Sequence, residues 1–387
     1  MTIGFDAKRA FHNYSGLGNY SRLLIHSLSN LYKENQYFLY TPKYNAHPLH
    51  NFADNNNCTI VTPKGISLLL PSSFWRSFFV ANDINNQNID IFHGLSGELP
   101  VSSLKMPKVV TIHDVIFMRY PEYYATFDRK MYEKKFKHAC KIADKIITIS
   151  KQTADDCIHF LDADARKIEI GYQSCDPIFW TTQQEKNISK LYNLPEKFIL
   201  NIGTMEARKN LLNLVKALKF IDDDVSLVAI GGRTPYTIQV EEYIKENNLA
   251  HRVKLMHGVP FRDFPAIYAA ASAFVYPSVF EGFGIPVLEA LAVGIPVATS
   301  NISSMPEVSG EAAIYFDPYC VEDMADKINL LLNDKEVVAE LNANRSKQLD
   351  KFAIENIAKN VNDIYRSIAR HSALDAESHG DCGSSPQ

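Results

Sequence analysis

Two glutamates, Glu281 and Glu289, stand on either side of a glycine turn with seven residues between them, and two cations, Arg208 and Lys209, are adjacent earlier in the chain. Carboxylates accept hydrogen bonds from hydroxyl groups, and an arginine beside a lysine suits a diphosphate. These residue types are the ones that a nucleotide sugar requires. Taken singly, such acids are often solvated residues or favourable charges at a helix start.

The element that must position the two glutamates is a strand, a glycine turn and a helix start within residues 276–298. Gly282 and Gly284 permit the bend, and Pro286 suits the first turn of a helix. We predict that the amide groups of about Ile285 to Leu288 are unpaired and, with the positive end of the helix dipole, form a seat for phosphate. The predicted binding segment comprises Phe283, Gly284, Ile285, Pro286, Val287, Leu288 and Glu289.

A second strand and turn precede the two cations. Residues 198–202 are apolar, Gly203 and Thr204 form a turn, and Arg208 and Lys209 lie where a helix begins. Cations are disfavoured at a helix N-terminus, so an anionic ligand at this end would resolve the conflict. We predict that all four of these turn and helix-entry residues bind the nucleotide sugar, with the diphosphate on Arg208 and Lys209.

Near the N-terminus, Gly16 and Gly18 open an amphipathic helical pattern after a short strand. Their spacing falls one residue short of the dinucleotide-binding fingerprint, so an NAD-dependent oxidoreductase is an alternative. A loop of about ten residues before the glycines, and the lack of an acidic residue after the second strand, count against it.

Short β-branched or aromatic runs alternate with helical stretches throughout the first half of the chain, which predicts a parallel, doubly wound sheet. His93 and His113 follow two of these runs, at the edge where open α/β sheets bind ligands. A histidine at a strand end more often makes a local hydrogen bond than a catalytic contact.

The residues Glu281, Gly282, Phe283, Gly284, Pro286, Glu289 and Ala290 resemble the signature of retaining glycosyltransferases of family 4, which have the GT-B fold. The segments 113–116 and 119–124, His-Asp-Val-Ile and Arg-Tyr-Pro-Glu-Tyr-Tyr, resemble the corresponding part of bacterial mannosyltransferases of polysaccharide and lipopolysaccharide assembly. The resemblance covers about residues 1–370. It implies two Rossmann-like doubly wound domains that face each other across a cleft.

The resemblance also implies roles. Arg208 and Lys209 hold the donor diphosphate, Glu289 the ribose and Glu281 the sugar hydroxyls, while His113 faces the transferred sugar. Gly16 and Gly18 match the glycine loop that approaches the diphosphate. The implied catalytic residues are His113, Glu281, Arg208 and Lys209.

The implied activity is transfer of a hexose, with retention at the anomeric carbon, from a nucleotide diphosphate sugar to a growing cell-surface glycan. No cofactor and no metal are expected. The segment around His113 favours GDP-mannose as the donor. A UDP-sugar donor, a nucleotide-sugar 2-epimerase and an inactive nucleotide-sugar-binding protein remain alternatives.

The chain of 387 residues is long enough for two domains. We predict an acceptor-side domain over 1–180, a nucleotide-sugar domain over 181–350, and a helix over 351–370 that crosses back to the first domain. Residues 371–387 have no core-forming pattern and are predicted to be disordered.

Composition excludes several classes. The formal net charge is −4 without a basic block that would indicate nucleic-acid binding. The six cysteines show no Cys-x-x-Cys and no metal-ligand spacing, so we expect reduced thiols in a cytoplasmic protein. The acidic run Asp222–Asp224 lies between a helix and a strand, which favours a solvated turn over a metal site.

Two segments are candidates for peripheral contact with the inner face of an anionic membrane. Residues 129–151 contain eight Lys or Arg and two acids, for which a solvated helix face is the ordinary interpretation. Residues 66–80 are apolar and aromatic but carry Pro71 and Arg76, so they do not span a bilayer. In this second segment Trp75, Phe78 and Phe79 either enter the core or touch a lipid-like acceptor.

Overall fold

The computed structural model describes residues 1–181 and 187–380, and the chain divides into two compact units. The first unit comprises Met1–Gln173 with Ala353–Gln387, and the second is Ser174–Phe352. The division lies a few residues before the predicted boundary at 180. Residues 182–186, which directly follow the predicted boundary, lie outside the described residues.

In the described part of the first unit, seven strands form a parallel sheet in the order β3-β2-β1-β4-β5-β6-β7. The strands are β1 (Thr2–Asp6), β2 (Gln36–Tyr40), β3 (Cys58–Val61), β4 (Ile91–Gly94), β5 (Lys108–Ile112), β6 (Lys145–Thr148) and β7 (Ile168–Ile170). The parallel, doubly wound sheet that the sequence predicts is confirmed. The strands β3 and β7 were not predicted, because each is short and only weakly apolar.

Helices cover both faces of this sheet, as parallel strands joined by crossovers require. They are α1 (Lys8–His12), α2 (Gly16–Leu31), α3 (Ser72–Phe74), α4 (Val80–Asn85), α5 (Ile116–Arg119), α6 (Thr126–Ile142) and α7 (Lys151–Leu161). A π-helical turn, Trp75–Phe79, joins α3 to α4. Helix α7 begins directly after Ser150, because the Ser150 hydroxyl caps it by accepting a hydrogen bond from the Thr153 amide at 3.0 Å.

The second unit repeats this plan. Its described strands form a parallel sheet in the order β10-β9-β8-β11-β12-β13. They are β8 (Phe198–Ile202), β9 (Ser226–Ile230), β10 (Val253–Met256), β11 (Ala273–Tyr276), β12 (Val297–Ser300) and β13 (Ile314–Phe316). The helices are α8 (Ile188–Leu191), α9 (Leu211–Ala217), α10 (Pro235–Glu246), α11 (Phe264–Ala270), α12 (Ile285–Val293), α13 (Met305–Ser309), α14 (Val321–Asn333) and α15 (Lys335–Asp350).

The last helix, α16 (Ile354–Gly380), belongs to the first unit and packs against α2. Its buried residues Ala358, Val361 and Tyr365 join the core formed by β1 and α2. The helix ends later than predicted, since the backbone of 371–380 is helical rather than unstructured. The sequence there includes Ala373, Leu374 and other good helix formers. The rest of the predicted tail, 381–387, lies outside the described residues.

Each sheet reverses its strand order once, and this reversal positions the site. In the first unit the reversal falls between β1 and β4, and in the second it falls between β8 and β11. Loops leaving two neighbouring strands diverge there and open a crevice at the carboxyl edge of the sheet, where α/β proteins bind ligands. Among the described residues, no helix is both long and apolar enough to cross a bilayer.

Candidate active site

The crevice of the second unit contains a cluster of Arg208, Lys209 and Glu281. Arg208 and Lys209 follow β8, and Glu281 follows β11, so the pairing of these two strands brings the residues together. The Lys209 ammonium donates to Glu281 Oε1 at 3.1 Å and to the Tyr276 hydroxyl at 2.6 Å. Arg208 Nη1 lies 2.8 Å from the same Oε1 atom. The side chains of Arg208, Lys209 and Glu281 are each at least four-fifths buried.

Two hydroxyl groups complete the environment of Glu281. Tyr276 and Ser278 each donate to Glu281 Oε1 at 2.9 Å. Oε1 therefore takes all four of these contacts, and Oε2 takes none of them. A carboxylate held in this way has one oxygen fixed by the protein and a second oxygen with acceptor capacity for a ligand hydroxyl.

The charges of the cluster reinforce one another. Burial alone would raise the pKa of Glu281, but Lys209 and Arg208 reverse that effect and hold it at about 2. Burial alone would lower the pKa of Lys209. The Glu281 carboxylate has a larger opposing effect, so the pKa of Lys209 is raised. At neutral pH the cluster is therefore fully ionised.

The protein also supplies anions of its own to the two cations at this helix entry. Arg208 pairs with Glu281 and, through Nη2, with Glu206 Oε1 at 2.5 Å. Two cations thus face two carboxylates. A diphosphate could bind here only by sharing or taking over these pairs.

Gly203 is required by the position of Lys209. Its φ is +153°, and a Cβ atom built on it would lie 2.9 Å from Lys209 Cδ. The absence of a side chain lets Lys209 cross the end of β8 towards Glu281. The neighbouring Thr204 is exposed at the same turn.

The glycine turn after β11 leads into α12 as predicted, but the helix start has fewer available amides than expected. Gly284 is the N-cap residue with φ +104°, and a Cβ atom there would lie 2.4 Å from the Met305 Cε. The amides of Val287 and Leu288 both donate to the Gly284 carbonyl, at 3.0 and 3.4 Å. Pro286 has no amide hydrogen. The prediction of four unpaired amides over 285–288 is therefore wrong.

The side chains of this turn are also less accessible than a ligand contact would need. Phe283, Val287 and Leu288 are buried, and the Phe283 ring packs edge-on against Phe352 at 5.5 Å. Ile285 and Pro286 are half-buried. Only backbone atoms of the three buried residues could contact a ligand, so their predicted binding role is restricted to the main chain.

Glu289 lies on α12 apart from the ionised cluster. Its carboxylate is 7% exposed, and Oε2 accepts a hydrogen bond from the Tyr268 hydroxyl at 2.9 Å. Burial raises the pKa of Glu289 to about 7, although the Tyr268 hydroxyl opposes the shift. The two glutamates of the signature therefore differ in state: Glu281 is ionised and Glu289 is close to half protonated at neutral pH.

The state of Glu289 predicts a pH dependence of stability. A carboxyl group whose folded pKa is raised favours folding below its unfolded pKa of about 4.5 and loses that contribution as the pH rises through 7. We expect Glu289→Gln, which cannot ionise, to match the parent at pH 5 and to exceed its unfolding free energy by roughly 3 kcal/mol at pH 9. Denaturant unfolding at both pH values measures this, with Glu242→Gln on the exposed face of α10 as control. If the parent and Glu289→Gln lose the same unfolding free energy between pH 5 and pH 9, this expectation is wrong.

Several residues that shape this site were not predicted from the sequence. Ser303 and Ser304 hold the glycine turn, because the Ser303 hydroxyl accepts from the Glu281 amide at 3.1 Å and Ser304 donates to the Phe283 carbonyl at 2.8 Å. Tyr276 and Ser278 are near Glu281 in sequence, so hydroxyl residues at the end of β11 were a usable signal. Tyr268 gave no such signal, since it lies far from Glu289 in sequence.

His113 lies in the first unit at the carboxyl end of β5. It is 8% exposed, and its Nε2 is 2.9 Å from the Leu95 carbonyl. A carbonyl can only accept, so Nε2 carries the proton and Nδ1 is an acceptor. Burial lowers the pKa of His113 to about 4, despite the Leu95 hydrogen bond. His113 is therefore a neutral hydrogen-bond acceptor at neutral pH.

His93 has a structural role. It is fully buried, with Nδ1 2.6 Å from the Tyr365 hydroxyl and Nε2 2.8 Å from the Thr111 hydroxyl. Burial lowers its pKa to about 3. These contacts join α16 to β4 and β5, as expected for a histidine that makes local hydrogen bonds.

Gly16 and Gly18 lie in the first turn of α2 rather than in a loop. The Gly18 amide donates to Asn13 Oδ1 at 3.1 Å, and a Cβ atom on Gly18 would lie only 1.7 Å from the Asn13 carbonyl oxygen. Gly18 thus permits close approach of the preceding loop, and Asn13 occupies the amide. The predicted contact of Gly18 with a diphosphate would require this bond to be replaced.

The acidic run after α9 forms the predicted turn. Asp223 pairs with Arg252 at 3.0 Å and Asp224 with Lys197 at 3.0 Å. Within residues 1–181 and 187–370, no group of three or more His, Cys, Asp or Glu side chains is arranged to hold a metal ion.

The two candidate membrane segments differ in the structure. Residues 129–151 include most of α6, and Lys135, Lys137 and Lys145 pair with acidic side chains. In 66–80, Trp75 is buried, as expected for the core alternative, whereas Phe78 and Phe79 are exposed. Trp75 thus lies in the core, whereas Phe78 and Phe79 remain available for the predicted lipid-like contact.

Two doubly wound units with their crevices at the strand reversals are the plan of the GT-B fold. Residues 14–177 match the Glycosyltransferase Family 4 model, and residues 182–348 match the model of Glycosyl transferases group 1. The chain belongs to the family 4 glycosyltransferases, and the resemblance drawn from the signature around Glu281 is confirmed.

The chain is similar to named mannosyltransferases. O-antigen chain mannosyltransferase B of Escherichia coli is 29% identical over 285 residues, which are 72% of this chain and 74% of that protein. O-antigen chain mannosyltransferase RfbU of Salmonella typhimurium is 30% identical over 212 residues, which are 54% of this chain and 57% of RfbU. The structure of HepE from Anabaena, solved with UDP and glucose, has a TM-score of 0.71 at 17% identity and covers 95% of this chain and 99% of HepE.

Proposed function

We propose that the chain moves mannose from GDP-mannose to a growing cell-surface glycan, with retention at the anomeric carbon. The observation that supports nucleotide-sugar chemistry is the buried cluster of Arg208, Lys209 and Glu281 at the strand reversal of the second unit. The identity to mannosyltransferases of O-antigen chains supports the choice of sugar and acceptor class. Retention is what the family resemblance implies.

The cluster suggests how the donor would be held. Arg208 and Lys209 now pair with the carboxylates of Glu281 and Glu206. A bound diphosphate would offer the two cations a further negative partner. As the glycosidic bond breaks, charge increases on the leaving diphosphate, and preorganised buried cations stabilise that charge more strongly than water would. Glu281 would retain its hydrogen bonds from Tyr276 and Ser278 and offer Oε2 to a sugar hydroxyl.

The other predicted residues, Glu289 and His113, would bind the donor through hydrogen bonds to its hydroxyl groups. Glu289 would accept hydrogen bonds from the ribose hydroxyls, which favours its ionised form, and His113 would accept one from the transferred sugar through Nδ1. A neutral His113 is suited to orientation rather than to proton donation. These roles follow the family resemblance and the hydrogen-bond states described above.

A thermal-shift screen with GDP-mannose, GDP, UDP-glucose, UDP and NAD tests the donor. A ligand at 100 times its Kd stabilises the folded state by about 2.7 kcal/mol. We expect GDP-mannose and GDP to raise the melting temperature and NAD to leave it unchanged. Stronger stabilisation by UDP and UDP-glucose would assign the alternative donor, and stabilisation by NAD alone would contradict a glycosyl donor site.

Incubation of the stabilising donor with and without glycan acceptors tests the reaction. We expect nucleotide release to depend on the acceptor and the new linkage to keep the anomeric configuration of the donor by NMR. Isomerised sugar formed without an acceptor would indicate a 2-epimerase. Donor binding without any turnover would indicate an inactive binding protein.

Metal removal should not affect activity. Arg208 and Lys209 would supply the positive charge that a divalent ion provides in metal-dependent transferases. We expect the initial rate in excess EDTA to stay within about twofold of the untreated rate, because no transition-state charge would depend on a bound ion. A rate restored only by added Mg²⁺ or Mn²⁺ would contradict this and return attention to Asp222–Asp224.

We also propose that the acceptor is reached at an anionic membrane surface through the segment 66–80. Leu68 and Leu69 are 67% and 86% exposed, and Phe74, Phe78 and Phe79 later in the same segment are 38–46% exposed. Arg76 anchors the π-helical turn that carries the last two rings, because Nη2 lies 2.5 Å from Asp6 Oδ2. Apolar side chains on an anchored turn are suited to the headgroup region of a bilayer.

Vesicle sedimentation measures this contact. We expect Leu69→Asp to reduce binding to phosphatidylglycerol vesicles about tenfold or more, because a charge replaces an inserted side chain. Leu191→Asp, an equally simple change at an exposed leucine of the second unit, is the control. If both variants and the parent bind the vesicles equally, the segment 66–80 does not contact the membrane.

A further inference from the structure

The turn that carries Glu281 is held by the loop that follows the neighbouring strand. Strands β11 and β12 pair in parallel, so the segments that leave them, 277–284 and 301–304, both lie at the carboxyl edge of the sheet. We call residues 301–304, which join β12 to α13, the serine loop. Neither Glu281 nor the serine loop belongs to a helix or a strand. The position of Glu281 therefore depends on contacts between the two segments.

The Ser303 hydroxyl binds both backbone groups of Glu281. Its oxygen accepts a hydrogen bond from the Glu281 amide at 3.1 Å, and the hydroxyl donates to the Glu281 carbonyl at 2.8 Å. A hydroxyl has one proton to donate and lone pairs to accept with, so a single serine side chain makes both bonds at once. A methyl group could make neither.

These two bonds restrict the direction of the Glu281 side chain. The amide belongs to the planar peptide unit before the Glu281 Cα atom, and the carbonyl belongs to the unit after it. A contact that holds both units limits the two backbone dihedral angles of Glu281 and hence the direction of its Cα–Cβ bond. The next residue, Gly282, has no side chain that could impose this restriction.

Ser304 makes a different contribution from Ser303. It is fully buried, and its hydroxyl donates to the Phe283 carbonyl at 2.8 Å, with the Glu281 carbonyl oxygen at 3.0 Å. Both of these partners are acceptors, whereas the Ser303 hydroxyl also holds the Glu281 amide. Control of both peptide units that flank Glu281 thus comes from Ser303.

The backbone of Ser303 is in the left-handed region, with φ +60°. This conformation is unfavourable for a residue that has a Cβ atom, and it persists only where the surrounding structure imposes it. Such residues cluster at functional sites. Glycine would adopt this backbone more readily but would lack the hydroxyl. Position 303 therefore combines an unfavourable backbone with a side chain that contacts the site.

The carboxylate of Glu281 is held at its other end by Tyr276 and Ser278, which donate to Oε1. With the backbone held by Ser303 and Oε1 held by two hydroxyls, Oε2 has a defined direction. Small displacements of a group that contacts the reacting sugar reduce turnover strongly, because the reacting atoms must be aligned. The bonds to Ser303 thus bear on the geometry at Oε2.

We propose that Ser303 is a positioning residue for sugar transfer: through the backbone of Glu281, its hydroxyl directs Oε2 towards a hydroxyl group of the transferred sugar. This role rests on the proposed function, because it acts through the contact proposed between Glu281 and the sugar. Ser303 itself touches neither the sugar nor the nucleotide in this arrangement. Its removal should therefore affect turnover and leave nucleotide affinity unchanged.

Two substitutions of Ser303 separate positioning from stability. Ser303→Ala and Ser303→Gly both remove the hydroxyl, but only glycine relieves the left-handed backbone, so Ser303→Gly should melt at the higher temperature. We expect both variants to lower kcat about tenfold or more with GDP-mannose and a mannose oligosaccharide as acceptor. The Kd for GDP, measured by calorimetry, should stay within about twofold of the parent value.

Ser309→Ala is the matched control. Ser309 is fully buried on α13, and its hydroxyl donates to the Met305 carbonyl at 2.6 Å rather than to the Glu281 turn. We expect kcat of this variant to equal that of the parent. An equal loss of kcat in Ser309→Ala would overturn the role of Ser303, and so would parent-like turnover in Ser303→Gly.

Amide hydrogen exchange on the full chain measures the contact without a donor. The Glu281 amide should exchange about tenfold faster or more in Ser303→Gly than in the parent, because its acceptor is lost. The Val287 amide, which donates to the Gly284 carbonyl, is the internal reference and should be unchanged. Unchanged exchange at Glu281 would overturn the proposal whether or not the chain transfers sugar.

The outcomes distinguish this proposal from the proposed function. A parent that transfers sugar, together with variants that match it, would overturn the role of Ser303 alone. A parent that transfers no sugar would overturn the proposed function and the role in transfer together. Faster exchange at Glu281 in Ser303→Gly would then still show that the hydroxyl holds the turn.

Discussion

Glu281→Gln should lower kcat by about a hundredfold while nucleoside diphosphate binds at least as tightly as it does to the parent. The carboxylate neutralises Arg208 and Lys209, and its Oε2 is the atom proposed to hold the transferred sugar. Removal of its charge weakens contact with the sugar as the glycosidic bond breaks. The same change removes a negative charge close to the diphosphate, so the two cations attract the ligand more strongly.

The stability of the Glu281→Gln variant gives an independent measurement. Arg208 would then pair with Glu206 alone and Lys209 would lose its carboxylate partner, and loss of one partner from a buried ion pair costs about 3–5 kcal/mol. Glutamine keeps a carbonyl acceptor for Tyr276 and Ser278, so we expect a loss at or below the lower end of that range. A nucleoside diphosphate should restore more of the melting temperature in the variant than it adds to the parent, because it replaces the missing charge.

The comparison that decides this prediction is between kcat and nucleotide affinity. Rapid-quench or steady-state kinetics give kcat, and calorimetry gives the Kd for GDP. Glu206→Gln serves as the matched control, because it also removes a carboxylate from Arg208 but has no contact with Lys209. If Glu281→Gln loses GDP affinity tenfold, or if kcat is unchanged, the role assigned to Glu281 is wrong.

Local sequence patterns were sufficient to predict the sheet type and each member of the cluster. Parallel strands buried on both faces give short apolar runs, and a glycine turn before a proline indicates a helix start. These are short-range signals. The strands that carry Arg208 and Glu281 were therefore recognisable, and so was the chemistry of both side chains.

Contacts between distant segments were not predictable in this way. Arg208 and Glu281 meet because β8 pairs with β11, and no sequence pattern specifies that pairing. The sequence consequently predicted a diphosphate as the partner of the cations and a sugar as the partner of the glutamate, but not the ion pairs that join these side chains. Similarly, Asn13 takes the Gly18 amide and Tyr268 binds Glu289 through contacts that depend on tertiary packing.

The error at the start of α12 has a different cause. Counting unpaired amides from the first helical residue ignores that proline has none and that Gly284, as N-cap, accepts from both Val287 and Leu288. The helix dipole still points towards the crevice. Electrostatic attraction for the diphosphate would therefore depend more on Arg208 and Lys209 than the sequence suggests.

Lys209→Met should accordingly weaken binding of GDP and GDP-mannose about ten- to a hundredfold and leave guanosine binding unchanged. The ammonium is buried and makes charge-assisted bonds, so water cannot substitute for it. Methionine fills much of the same volume, which limits the effect of a cavity beside Tyr276. Lys197→Met, at the opposite end of β8 and paired with exposed Asp224, is the control. Equal losses for guanosine and GDP would remove Lys209 from the diphosphate site.

A double-mutant cycle between Lys209 and Glu281 tests whether the cluster acts as one unit. The two side chains are 3.1 Å apart, so their effects on GDP affinity should not be additive. Glu281→Gln is expected to tighten GDP binding in the parent because it frees two cations. In the Lys209→Met background only Arg208 is freed, and Glu206 still pairs with it, so the gain should largely disappear. If the two changes add within about twofold, the contact seen between these side chains does not influence the ligand, and the proposed exchange of partners between Glu281 and the diphosphate is wrong.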